Sequence, residues 1–151
     1  MNHKTLIIGI GNSGRQDDGL GWAFLDAIES LLLENIDLEY RYQLQVEDAE
    51  LIARYNSILF VDADMVQHPN GINFKKLYPK DVNSYTSHEL NPETVLHLAK
   101  TIYNVNPECY MLSISGITFH LNIGLTEIAL LNLDNAIRFF KQDFYNAVTT
   151  F

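Results

Sequence analysis

Residues 7–19 read IIGIGNSGRQDDG, an apolar run that breaks on glycines spaced Gly9-x-Gly11-x-x-Gly14. A buried run that ends on glycines and passes into a helical pattern demands a strand turning tightly back into a helix. That is the opening unit of a parallel sheet. The spacing also matches the dinucleotide-binding fingerprint letter for letter. Its neighbours disagree with that chemistry. Asp17 and Asp18 occupy the first helical turn, where a pyrophosphate would have to sit. The helix dipole stabilises carboxylates there, and they in turn repel phosphate. The acid expected on a ribose about 20 residues further on has no good counterpart. Glu34, Asp37 and Glu39 fall before or early within the next strand, and no Gly-Lys-Ser/Thr is present. The glycines are therefore read as room for a tight turn. Asp17 and Asp18 cannot cap the same N–H groups equally well, so one acid is expected to cap and the other to face the strand-end crevice.

The rest of the chain alternates strand and helix patterns. Residues 4–10 form the first buried strand, and Phe24, Leu25, Ile28, Leu31 and Leu32 sit at helical spacing within residues 18–33. Leu38, Tyr40, Tyr42 and Leu44 alternate as a half-buried strand, and a short helix is expected over residues 48–55. SILFVD at 57–62 is a second buried strand closing on Asp62-Ala63-Asp64. VQHPNG at 66–71 reads as a turn, residues 72–78 as a peripheral strand, and 80–90 as irregular. Asn91 followed by Pro92 opens a helix carried by Val95, Leu96, Ala99, Ile102 and Tyr103. YMLSISGI at 110–117 is a further strand, and Thr126 caps a last helix with Leu130, Leu133, Ile137, Phe140 and Phe144 on one face. The expected fold is α/β: a single three-layer α/β/α domain over residues 1–151, with a twisted, largely parallel sheet. In such sheets function gathers at the carboxyl ends of strands, which places Gly11–Asp18 and Asp62–Asp64 on one rim.

Charge and cysteine content narrow the partners. The net charge of −9 disfavours nucleic acid and anionic membrane surfaces and favours cations or basic peptides. No leader and no membrane span is expected, and a single cysteine, Cys109, excludes an internal disulfide framework and fits a cytoplasmic protein.

Candidate ligands are scattered. Of five histidines, His3 is terminal, His68 lies beside Pro69 in a turn expected to be exposed, and His97 falls inside a helix. His120 is flanked by apolar residues, whereas His88 sits in a polar loop, TSHEL, just before a helix. Loops carry function disproportionately, so His88 is the stronger candidate by position. Asp62 ends a buried strand, where an ionised carboxylate needs a cap role or a cation. Two carboxylates and an imidazole suit a divalent transition metal and leave coordination positions open. Ser13, Ser87 and Cys109 have no signature pairing with a base, which argues against serine or cysteine catalysis.

GIGNSGRQDDGLG resembles the N-terminal signature of the NiFe-hydrogenase maturation endopeptidases, in which Gly-x-Gly-Asn precedes an acidic pair and Gly-x-Gly. SILFVDAD, then TSHELNPETVLHLA, then IGLTEIA follow in the same order, so the resemblance runs over most of the chain. It implies a three-layer α/β/α fold and a nickel site made by the second acid of the pair, the strand-end Asp and the loop His. These positions are Asp18, Asp62 and His88. The nickel is supplied by the substrate, the hydrogenase large-subunit precursor, whose C-terminal extension is removed after nickel insertion. The chain departs from the pattern twice. QLQVEDAE stands where many members carry Asp-Gly-Gly, a segment implicated in substrate choice, and Gly116 is followed by ITFH without the usual Gly-x-x-Pro. The departures keep a second reading open, a nickel-dependent binding or chaperone module of hydrogenase assembly without peptidase activity.

Overall fold

The computed structural model describes residues 3–31, 33–81 and 90–145. Five strands, β1 (Thr5–Ile10), β2 (Ile36–Arg41), β3 (Ser57–Asp64), β4 (Ile72–Leu77) and β5 (Glu108–Ser115), make one sheet in the order β2-β1-β3-β5-β4. The pairs β1–β2, β1–β3 and β3–β5 are parallel, and β4 lies antiparallel on β5 at one edge. The helices are α1 (Leu20–Glu29), α2 (Asp48–Ile52), α3 (Pro92–Tyr103) and α4 (Glu127–Phe139). A π-type turn, Phe140–Phe144, extends α4.

Strand periodicity sorts the core into two halves that share the sheet. Ile7, Leu59, Val61, Leu112 and Ile114 pack to one side with Phe24, Leu25 and Ile28 of α1 and Ala129, Leu133 and Ala136 of α4. Leu6, Ile8, Ile58, Phe60 and Cys109 pack to the other with Ala49 and Ile52 of α2 and Val95, Leu96 and Ala99 of α3. The central strands are thus buried on both faces, which is why they read as continuous apolar runs. Burial of each such side chain contributes about 1.5–3 kcal/mol. The three layers and the mostly parallel sheet agree with the reading of the sequence.

Differences concentrate at element ends. α1 begins at Leu20, after a 3-10 turn over Gln16–Gly19 that takes up the start expected at residue 18. Leu32, read as part of its apolar face, lies outside the described residues. β2 stops at Arg41, so Tyr42 and Leu44 lie beyond it, although Leu44 is buried and forms an isolated antiparallel bridge with Leu90. Leu130 of α4 is exposed. The buried stripe runs through Ala129, Leu133, Ala136 and Phe140 instead, with two alanines letting the helix approach the sheet. The two expected caps are made. Asn91 Oδ1 accepts the Thr94 N–H at 3.0 Å, and Thr126 Oγ1 accepts the Ala129 N–H at 3.2 Å.

The sheet topology positions the site. From β1 the chain passes through α1 to β2 on one side, then returns through α2 to β3 on the other. The crossovers diverge at the β1/β3 junction, so the carboxyl ends of these strands border an open crevice. α1 is pressed against that junction. A Cβ on Gly9 would lie 2.7 Å from the Gly21 carbonyl oxygen, and one on Gly21 would lie 2.5 Å from that of Ile10.

Candidate functional site

Most N–H groups of the glycine turn after β1 are already committed within the fold. Gly11 N–H donates to Arg41 O at 2.9 Å and Asn12 N–H to Asp18 O at 3.1 Å. Gly14 N–H donates to Asn12 Oδ1 at 2.8 Å, and the N–H groups of Arg15, Gln16, Asp17 and Asp18 donate to Asn12, Asn122, Thr118 and Arg15 carbonyls. A nucleotide cradle needs these donors aimed outward. What the turn requires is Gly11 itself. Its φ of 151° lies in a region that side chains avoid, and a Cβ there would meet the Asp18 carbonyl oxygen at 2.0 Å. The turn folds Asp18 back over the end of β1.

The acidic pair divides its labour, though not by helix capping. The cap positions of the 3-10 turn and of α1, Arg15 and Gly19, have no side-chain cap hydrogen bond. Asp17 is fully buried and clamps a distant loop. Its Oδ2 accepts from Ile117 N–H at 2.8 Å, Thr118 N–H at 3.2 Å and the Thr126 hydroxyl at 2.8 Å, and its Oδ1 accepts from Thr126 N–H at 2.8 Å. Burial works to raise its pKa, but the bonds from Thr126, Ile117 and Thr118 outweigh it and hold the carboxyl below its ordinary value. Asp18 is half-buried and lines the crevice.

That crevice is a cleft of about 810 Å³. Asp18 from the β1 turn and Asp62 from the end of β3 both line it, with Tyr42, Met65 and Phe119 as apolar wall and Leu90–Glu93 closing one side. Asp62 Oδ1 accepts the N–H of the next strand residue, Ala63, at 2.8 Å, so the expected cap on the following loop is not what this bond makes, and the residue also lines the cleft. His88, the third predicted ligand, lies outside the described residues, as do Ser87 and most of the 80–90 segment. Among the described residues no three His, Cys, Asp or Glu side chains converge as a metal cage. Two carboxylates in a cleft are nevertheless suitable donors for a dication, supplying charge and leaving coordination positions open.

The remaining candidates have other work. His68 is half-buried rather than exposed, because its Nε2 is 2.6 Å from Asp64 Oδ2. Burial raises the pKa of Asp64, but the Val66 N–H and the His68 ring more than offset it and hold the carboxyl low. Ser115 completes this cluster without forming a nucleophilic triad. Its hydroxyl donates to Val66 O and accepts the His68 backbone N–H, not the ring. His3 meets Ser57 Oγ at 2.7 Å, His97 on α3 lies 3.7 Å from Asp81, and His120 is exposed. Burial pushes the Cys109 thiol up to about 12, which leaves it an inert core residue. The Asp17 clamp and the Asp64–His68 pair were not foreseen from sequence. The Asp64–His68 spacing of four was the only local signal available for either.

No family model and no curated protein sequence matches the chain. Solved structures do. The hydrogenase maturating endopeptidase HybD from E. coli superposes with a TM-score of 0.75 at 17% identity, over 95% of this chain and 93% of that one. The hydrogenase 2 maturation peptidase from Thaumarchaeota archaeon SCGC_AB-539-E09 gives 0.68 at 20% identity, over 94% and 98%. The [NiFe] hydrogenase maturation protease HycI from Thermococcus kodakarensis gives 0.68 at 19% identity, over 91% and 89%. Across nearly its whole length, this chain has the fold of the hydrogenase maturation proteases.

Proposed function

We propose that the protein is an endopeptidase that recognises nickel in a NiFe-hydrogenase large-subunit precursor and removes its C-terminal extension in the cytoplasm. The observation that carries the reading is that Asp18, from the turn after β1, and Asp62, from the end of β3, line one cleft of this fold. Asp18, Asp62 and His88 would complete the coordination of a nickel ion that arrives with the substrate. Docking on that ion would lay the scissile peptide against the rim, so that recognition becomes orientation. Cationic cargo also suits a chain of net charge −9. No helix among the described residues is long and apolar enough to cross a membrane.

The test mixes the protein with a nickel-loaded precursor and follows loss of the extension by mass. Cleavage is expected with wild type and absent with Asp62→Asn and His88→Ala; persistence in either variant would sink the site assignment. A second reading, a nickel-dependent assembly module without peptidase activity, is favoured by the segment after β2. Gln43 and Leu44 line the cleft where the resembling proteins carry Asp-Gly-Gly. Nickel-dependent association with the precursor and no mass change would select it.

A further inference from the structure

The loop between β5 and α4 forms one wall of the cleft through Phe119, yet it shares no local sequence with the turn that carries Asp18. The two segments are stitched together. Gln16 N–H donates to Asn122 O at 2.9 Å and Asn122 N–H to Gly14 O at 3.0 Å, while Asp17 N–H donates to Thr118 O at 3.0 Å. Arg15 Nη2 reaches Phe119 O at 3.3 Å. At the centre lies the buried Asp17 carboxylate with its four donors from Ile117, Thr118 and Thr126. Gly116 makes room for it, since a Cβ there would come within 2.8 Å of both Asp17 Cβ and Phe119 Cζ.

We infer that Asp17 is a positioning residue: it sets the Asp18 turn and the Phe119 loop in one fixed relation, and so shapes the cleft before any substrate arrives. It does not reach the reacting atoms itself, since both its oxygens are committed to the loop. The chemistry of those bonds makes the role specific to a carboxylate. Each oxygen already accepts a backbone N–H, so the amide of an asparagine would turn a donor against a donor whichever way it flipped. Neutral or shortened side chains leave N–H groups of the loop without an acceptor. The loop then keeps Phe119 at the rim only through the backbone bonds at Asn122 and Thr118 and the Arg15 contact, and its position loosens. A misplacement of about 1 Å in such a wall is enough to cost about 10²-fold in turnover. The consequence for turnover rests on the proposed endopeptidase activity; the clamp does not.

The test compares wild type with Asp17→Asn by residue-resolved hydrogen exchange and by cleavage of the nickel-loaded precursor. Amides of Ile117, Thr118 and Thr126 should lose protection at least about tenfold while β1, β3 and β5 keep theirs. In folded variant, kcat/KM should fall about 10²-fold. Thr126→Val removes one donor to the carboxylate and, with it, the α4 cap; should Asp17→Asn fail to fold, it is the milder variant, and the clamp is then read from Ile117 and Thr118 alone, which should lose protection at smaller amplitude. A uniform loss of protection, or unchanged kcat/KM in folded variant, overturns the assignment. If wild type cleaves no precursor, the proposed activity falls, and the exchange pattern still decides whether Asp17 holds the loop.

Discussion

The two walls of the cleft are built differently. On one side, the Gly11–Gly19 turn and the loop leading to α4 are cross-linked by reciprocal backbone bonds around the buried Asp17 carboxylate. On the other, Tyr42–Leu44 and Leu90–Glu93 meet through one isolated bridge, Leu44–Leu90, supported by the Arg41–Asp48 pair. The first wall carries Asp18 and is over-determined. The second carries Gln43 and Leu90, and among the described residues it is held by far fewer bonds. A rigid wall suits the part of a site that must present charge at a fixed place, whereas a lightly tied one suits the part that must fit a particular partner.

The comparison can be broken at three points. The largest effect is expected from Gly11→Ala, which puts a Cβ against the Asp18 carbonyl at an unfavourable φ. Urea unfolding should show a loss of about 3 kcal/mol or more, and a loss below about 1 kcal/mol would mean that the turn is not over-determined.

Next comes acid. The folded-state pKa of Asp17 is depressed, so its contribution is present above the unfolded value, about 4, and is lost as pH falls through the lower folded value. Wild type should therefore lose stability steeply below about pH 4, and Asp17→Asn, already destabilised at neutral pH, should show a shallower acid limb. Parallel acid limbs in the two proteins would remove Asp17 from this account.

The smallest effect belongs to the second wall. Asp48 is buried and accepts from Arg41 Nε at 3.1 Å and Gln45 N–H at 2.9 Å. Asp48→Asn should cost about 1–2 kcal/mol, because Arg41 keeps Glu39 and partial contact with water. Its mark should be faster exchange at Leu44 and Leu90 with protection at Ile117 and Thr118 unchanged. Equal loosening of both walls would show that they are one unit.

How much was legible depended on whether a feature is local. The strands at 5–10 and 57–64, the Asn91 and Thr126 caps and the glycine turn are all readable from neighbours in the chain, because each rests on contacts within a few residues. The end of β2 was misread, since Tyr42 and Leu44 continue the alternation although the sheet has stopped. Of the expected α4 face, Leu133, Phe140 and Phe144 are buried and Ile137 packs against the core, whereas Leu130 is exposed because Ala129 and Ala136 take its place against the sheet. His68 was read as exposed because its burial depends on Asp64 and Ser115, which come together only when β3 and β5 pair.

The division between Asp17 and Asp18 marks the boundary best. Sequence alone determined that an acidic pair follows a tight turn at the end of a buried strand, and that the two acids could not serve one purpose. Physical chemistry local to the turn goes no further, since either carboxylate suits a helix start. Only the tertiary structure decided which one serves. The donors that claim Asp17 lie 100 to 109 residues away along the chain, and they reach it because β5 delivers its loop to the rim beside β3. Asp18 is left to face the cleft by that long-range pairing.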